Sequence, residues 1–395
     1  MINLVLYNPH VDDFIGTPPH FKLLRRRGLK KYGFLIDAEF LGNDTVTLFY
    51  DGTISAFMPD DIFKRVPKVV RMLISRIEII WWKKINRVNG SKFIITSDAS
   101  QITNKIIIAF SYKSAVGNWN ARREVFLSSR FTIMHLSHYF IRTKEKSENL
   151  RSLPNILLAG DSDIESNWYF KKFFSWYQKK IVVLPFAVQS RFKNEYPVNN
   201  RQNKCVATGS FHQLQLEYPQ EHFQDYRNAT KLNCYHPVRE NIYNHRLNIK
   251  NIIDSYVVPY RNYGKKNGLI EKIKKIFVSQ KSYFKTDINL LYNQYKYSVV
   301  GEEVVGFPGI GAFEAMACGC VLIGQENCYR GLGLESGVHY IEYDGTIENL
   351  KSIVEKTADN KVEIISCAGF EYIKKNFSYK HIRSWWQEKI SAAIE

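Results

Sequence analysis

Cysteine is sparse in this 395-residue chain and follows no pattern. The six cysteines, at 205, 234, 318, 320, 328 and 367, form no Cys-x-x-Cys pair and no Cys/His metal spacing. That excludes a disulfide framework and a zinc module, and predicts reduced thiols in a cytoplasmic setting. No apolar run approaches the roughly 18 residues of a membrane-spanning helix. The opening MINLVLYNPH has no basic leader and no long apolar core, so it reads as a buried strand rather than a signal peptide. Prolines number only 12, and there is no internal repeat or low-complexity tract, so an ordered chain is expected. No RRM, KH, zinc-finger or helix-turn-helix signature occurs, and the aromatics are dispersed, so nucleic acid is not an expected partner.

What is present is a length that suits two domains. Short β-branched runs alternate with helical patterns, which predicts an α/β layout. The first half offers Ile2–Tyr7, Phe34–Ile36, Val46–Tyr50, Phe93–Thr96, Ile106–Phe110, Phe131–His135, Asn155–Leu158 and Ile181–Leu184. The second offers Cys205–Gly209, Lys231–Cys234, Asp254–Val258, Tyr297–Val300 and Val321–Ile323. The polar run Asn194–Lys204 reads as the linker, giving domains over 1–195 and 205–375 and a closing helix over 376–395.

Charge is uneven. Residues 1–200 hold 30 Lys and Arg against 17 Asp and Glu, a net of +13 within the chain's +17. A basic first half favours an anionic partner: a membrane surface, a lipid-linked diphosphate or nucleic acid. Between Pro67 and Arg87 apolar residues recur at Val69, Val70, Leu73, Ile74, Ile77, Ile80, Trp81 and Ile85, flanked by Lys68, Arg71, Arg76, Lys83, Lys84 and Arg87. That spacing is helical. The stripe faces either a core or an anionic membrane surface.

The densest signal is Gly306–Gly324, GFPGIGAFEAMACGCVLIG. Three glycines lead into a helical segment carrying Glu314, and a Gly-Cys-Gly break and a strand follow. Glycines let backbone N–H groups approach a ligand, and a helix start adds a positive dipole end, which suits a diphosphate. A carboxylate slightly further on suits sugar hydroxyls.

This segment resembles the donor-binding loop and helix of GT-B glycosyltransferases, especially the large retaining family 4 type of bacterial lipopolysaccharide, O-antigen and capsule synthesis. FTIMHLSHYF resembles that family's strand ending in a cleft-facing histidine, at His135. IVVLPFAVQSRF resembles its strand into the second domain, and FSYKHIRSWWQEKI its closing helix, with Ser378 as N-cap. The resemblance implies two Rossmann-like domains facing a cleft, with the last helix crossing back to the first. It implies a cytoplasmic or membrane-peripheral transferase that moves sugar from a nucleotide-sugar donor to a glycan or lipid-linked acceptor, without metal or other cofactor. Gly309, Ile310, Gly311, Ala312 and Glu314 are then expected at the donor, His135 and Glu303 at the chemistry, and Gly16, Thr17 and His138 along the acceptor cleft.

The sequence departs from the family in three places. Pro185-Phe186-Ala187-Val188 stands where Pro-Asn-Gly-Val is usual. Gly306 stands where the first of two spaced glutamates is usual, leaving Glu302 or Glu303 as substitutes and an inverting or furanosyl transfer open. The usual diphosphate-clamping arginine after the second domain's first strand is also missing. His212, Arg239, Lys281 and Lys285 are the candidate replacements. Asp161-Ser162-Asp163 reads as a helix N-cap rather than a metal motif. A non-catalytic basic protein that binds membrane or nucleic acid is the alternative of another class.

Overall fold

The computed structural model describes residues 4–8, 15, 31–42, 44–55, 58, 60–88, 90–217, 219–259 and 286–395. Gly16, Thr17, Lys281 and Lys285 lie outside them, as does nearly all of the basic segment 21–31. The chain divides into two compact units. One comprises Met1–Gly160, Phe173–Phe186 and Arg383–Glu395; the other comprises Asp161–Lys172 and Ala187–Ile382.

The first unit is built on a parallel sheet of β1 (Leu4–Tyr7), β2 (Val46–Phe49), β3 (Phe93–Thr96), β4 (Ile106–Phe110), β5 (Phe131–His135), β6 (Ile156–Gly160) and β7 (Val182–Val183), in the order 3-2-1-4-5-6-7. Its strands β4 and β6 read IIIAF and ILLAG and are buried along their length. Such near-continuous apolar runs are what a parallel sheet covered on both faces demands. Strand order reverses between β1 and β4, and crevices form beyond the carboxyl ends of strands in such sheets.

The second unit carries β8 (Gln202–Phe211), β9 (Ile253–Pro259), β10 (Tyr295–Val299), β11 (Val321–Gly324) and β12 (Ile341–Glu342). All pair in parallel, in the order 12-11-10-8-9, so order reverses between β8 and β10. The described helices of eight residues or more are α1 (Lys68–Asn86), α2 (Trp119–Leu127), α3 (Thr143–Arg151), α4 (Pro237–His245), α5 (Ile310–Ala317), α6 (Ile347–Lys356), α7 (Asp359–Asn376) and α8 (Tyr379–Ile394).

Three local expectations are corrected. Phe34–Ile36 is not a strand: Gly33–Ile36 forms a single 3-10 turn with Phe34 and Leu35 buried. Lys231–Cys234 is not a strand: Lys231 takes a left-handed φ of 61° to end a short helix, and only Cys234 bridges Gln213. The pair at 161 and 163 caps no helix. Asp163 closes a turn onto the Glu165 N–H, and Asn167 caps the helix Trp168–Phe174 by accepting from Tyr169 and Phe170. For α1, which the sequence left facing either a core or a surface, the apolar stripe lies largely outward. Its buried residues are Ser75, Glu78, Ile79 and Trp82, while Val69, Leu73 and Ile80 are 79%, 58% and 62% exposed. The paired tryptophans split, Trp82 fully buried and Trp81 outward.

The polar run 194–204 is hydrogen-bonded into the second unit through Arg201. Its buried guanidinium donates to the carbonyls of Tyr196 and Cys318 and to Asn194 and Asn293 Oδ1. Cys318 and Cys320 beside it are buried free thiols. Burial pushes the Cys320 thiol up to about 12, against the pull of Arg201. In the first unit, Trp386 of α8 is buried, donates its indole N–H to the Pro185 carbonyl at 2.7 Å and meets the Phe34 ring edge-on at 5.7 Å.

Candidate functional site

In the second unit the chain leaves β10 at Val299, runs through Gly301, Glu302, Glu303 and Gly306, and enters α5 with Gly309 as N-cap. This lies at the carboxyl end of β10, at the switch point with β8, where open α/β sheets form ligand crevices. Among the described residues no side chain caps α5, and residues 309–311 are partly exposed. The first backbone N–H groups and the positive end of the helix are therefore open to an anion.

A cation stands beside them. Arg239 projects from the first turn of α4, its Nη1 donating to the Ser210 carbonyl at 2.8 Å and its Nε to the Val300 carbonyl. Three glycines make room for it. A Cβ at Gly209 would lie 2.9 Å from Arg239 Cζ, one at Gly301 2.8 Å from Cγ, and one at Gly309 3.1 Å from Nη2. Gly209 and Gly301 also have φ of +120° and +63°, a region that disfavours side chains. The guanidinium is thus held in a glycine slot between the ends of β8 and β10, beside the α5 cap.

The acidic residues divide by environment. Glu302 is buried, and its Oε1 accepts from the Tyr329 hydroxyl and the Gln325 N–H. Burial raises its pKa, the Tyr329 bond opposing that. Its neighbour Glu303 places Oε1 3.9 Å from His236 Nε2. Glu314 stands on the second turn of α5, half-buried, and desolvation lifts its carboxyl to about 7 against the pull of Arg191. His212 stacks loosely towards Tyr235 and His236, at 6.0 and 6.4 Å between rings. Among the described residues no group of three His, Cys, Asp or Glu side chains is arranged to hold a metal ion.

In the first unit His135 ends β5 and is fully buried, its two ring nitrogens 3.5 and 3.4 Å from the Tyr32 hydroxyl and its ring 5.4 Å from Phe110. His138 adopts a left-handed φ of 46° between the rings of Tyr112 and Phe140. Its carbonyl accepts from Lys146 Nζ, a fully buried amine that desolvation holds well below the usual lysine range.

The structure therefore brings together Gly309, Ile310, Gly311, Ala312, Arg239, Glu303 and Glu314 within one unit, and places His135 and His138 in the other. His236 went unnoticed in the sequence. It stands three residues before Arg239 in CYHPVRE, and a single helical turn puts both at one helix end.

Two parallel sheets wound in this way, with helices on their faces, give the chain the GT-B fold. Similar solved structures span nearly its whole length. Sucrose-phosphate synthase from Thermosynechococcus elongatus aligns at 10% identity over 99% of this chain and 100% of that one, with a TM-score of 0.50. The N-terminal domain of Candida albicans trehalose-6-phosphate phosphatase aligns at 9% identity over 99% and 97%, with a TM-score of 0.50. Anabaena HepE in complex with UDP and glucose aligns at 12% identity over 99% and 100%, with a TM-score of 0.49. No family model matches the chain, and no curated protein matches it. At these identities the likeness is one of fold.

Proposed function

We propose that this protein is a glycosyltransferase that moves a sugar from a nucleotide-sugar donor to a hydroxyl of a glycan or lipid-linked acceptor. The observation that carries the reading is Arg239, held in its glycine slot beside the uncapped start of α5. Breaking the anomeric C–O bond leaves its electron pair, and the charge, on the departing diphosphate. A fixed guanidinium and a helix N-terminus oppose that charge without reorganising. They supply what a metal ion would otherwise supply, so the transfer is read as metal-independent. The backbone of Gly309–Ala312 then meets the phosphates, and Glu314 accepts from hydroxyls of the donor. Glu303, paired with His236, is the carboxylate available for the reacting sugar, since Glu302 is tied to Tyr329. Retention at the anomeric carbon is the outcome we expect from a carboxylate so placed. His135 and His138 belong to the acceptor side in this reading.

A thermal-shift screen against UDP, GDP, ADP, CMP and dTDP sugars tests it. One nucleotide should raise the midpoint, and Arg239→Gln should abolish the rise. No shift with any nucleotide would sink the proposal. Proton NMR of the product then reads the anomeric outcome.

The acceptor side is read as membrane-associated. The outward stripe of α1 (Val69, Leu73, Ile77, Ile80, Trp81) is flanked by Arg76, Lys83, Lys84 and Arg87. Apolar groups bordered by cations suit an anionic lipid surface. No described helix is long and apolar enough to cross a membrane. A lipid-borne acceptor in bacterial surface polysaccharide synthesis fits this placement. Sedimentation with phosphatidylglycerol vesicles, released by salt and lost in Leu73→Glu/Ile80→Glu, is the check.

A further inference from the structure

The inner side of α1 encloses a second polar site, within the first unit. A cavity of about 200 Å³ lies beyond the carboxyl ends of β2 and β3, lined by Asp51, Thr53, Lys68, Arg71, Ser75 and Arg76 among others. One water needs about 10–15 Å³ on this measure, so the cavity admits a group many times larger. Lys68, Arg71 and Ser75 fall on one face of the helix by their 3-4 spacing.

The cavity's anion is already neutralised. Asp51 Oδ2 accepts from Arg122 Nε at 3.2 Å and from the Tyr7 hydroxyl, while Oδ1 accepts from Thr53. The three cations are not. Among the described residues no ion pair or side-chain hydrogen bond engages Lys68, Arg71 or Arg76, and the Arg71 Nε is buried without a partner. Ser75 supplies an independent sign. Its side chain is 5% exposed, lines the cavity, and its hydroxyl has no hydrogen-bond partner among the described residues. Buried hydroxyls in folded proteins are nearly always paired, with protein, water or ligand. The loop opposite is shaped around it: Gly52, at φ +64°, would place a Cβ 3.1 Å from the Ser75 oxygen, so only glycine leaves that hydroxyl uncovered.

Unpaired cations, one buried donor and a cancelled carboxylate define a receptor for an oxyanion. We propose that this cavity binds a phosphate group, and that the acceptor of the transfer carries it. The anion binding stands on the cavity alone; its assignment to the acceptor rests on the transferase reading. Arg71 makes the main charge-assisted contact, Ser75 donates its hydroxyl, and Lys68 and Arg76 close the rim.

Calorimetric titration of the full chain with inorganic pyrophosphate tests the binding. Arg71→Gln should weaken it by about tenfold or more, the loss of one charge-assisted hydrogen bond. Ser75→Ala should weaken it a few-fold without lowering the thermal midpoint, since no hydrogen bond within the protein is lost. Unchanged affinity in the Lys68→Gln/Arg71→Gln double variant overturns the proposal. So does loss of all pyrophosphate binding in Arg239→Gln, which would assign the anion to the second unit. Two further arms separate the sources of the phosphate. Glucose 6-phosphate binding in preference to glucose indicates a soluble sugar phosphate. Arg71-dependent sedimentation with phosphatidic acid vesicles, beyond that with phosphatidylglycerol, indicates a lipid-borne one. Neither preference would overturn the phosphate assignment. Nucleotide shifts in the Arg71→Gln variant report on the donor reading separately.

Discussion

Gly309→Ala isolates the contact on which the proposed donor site depends. The backbone there has φ −79° and ψ 138°, which alanine adopts freely, so the substitution introduces no torsional strain. Its methyl group would instead stand 2.9 Å from Val300 Cγ1 and 3.1 Å from Arg239 Nη2. Val300 is β-branched and stiff at χ1, so the arginine must yield. Overpacking of this kind costs about 1–3 kcal/mol. For a unit of this size, ~2 kcal/mol lowers the midpoint of its transition by roughly 4–8 °C. The larger effect falls on ligand. Displacing the guanidinium forfeits one charge-assisted hydrogen bond, about 1.5–3 kcal/mol, or roughly ten- to 150-fold in nucleotide affinity. Gly117→Ala provides the control. It is strained by φ +79° but has no atom within 4 Å of the new methyl, so it should lower stability and leave nucleotide binding alone. Calorimetry with the nucleotide that gives the largest thermal shift measures both variants. If Gly309→Ala binds within about twofold of the parent, Arg239 is not the anion contact.

Glu314 gives a pH signature. Its folded pKa of about 7 lies above the usual 4.5, so its stabilising contribution is complete below about pH 4.5 and is lost as pH rises towards 7. Glu314→Gln should flatten that part of the midpoint-versus-pH curve, and an identical curve in the variant would refute the burial argument. Arg201→Ala should destabilise the second unit by at least about 3 kcal/mol, because it strands the carbonyls of Tyr196 and Cys318 and two asparagine oxygens; urea melts read this. Tyr329→Phe should raise the Glu302 pKa further, since it removes a hydrogen bond that favours the carboxylate. Carboxyl-labelled infrared titration measures the change, and an unmoved band would show that Tyr329 does not hold Glu302.

The site was legible in the sequence where its signal was local. Gly306–Gly324 announced a loop, a helix and a strand because glycine positions and apolar run act over a few residues, and each appears as read. Arg239 was only one of four cations, because its place depends on Gly209, Gly301 and Gly309, residues distant in the chain that make a single slot. The orientation of α1 was left open for a related reason. Periodicity reports that a helix has an apolar stripe, not which stripe the fold selects. Here the buried side is the narrower one of Ser75, Glu78, Ile79 and Trp82, with Glu78 accepted because Ser55 hydrogen-bonds to it. Asp163 reads as a cap because aspartate is a good capping residue, but the turn it closes delays the helix to Trp168, which Asn167 caps instead.

The first unit is discontinuous in sequence, and this bears on how the chain is made. Trp386 fills its core beside Phe34, and Arg383 pairs with Asp44. A ribosome that has released residues 1–186 has therefore exposed seven strands before Trp386 and Arg383, which pack against Phe34 and Asp44, exist. Domains ordinarily fold in order of synthesis. Here the unit begun first is completed by residues 383–395, made some two hundred positions later, so its packing around Phe34 is finished only when they arrive.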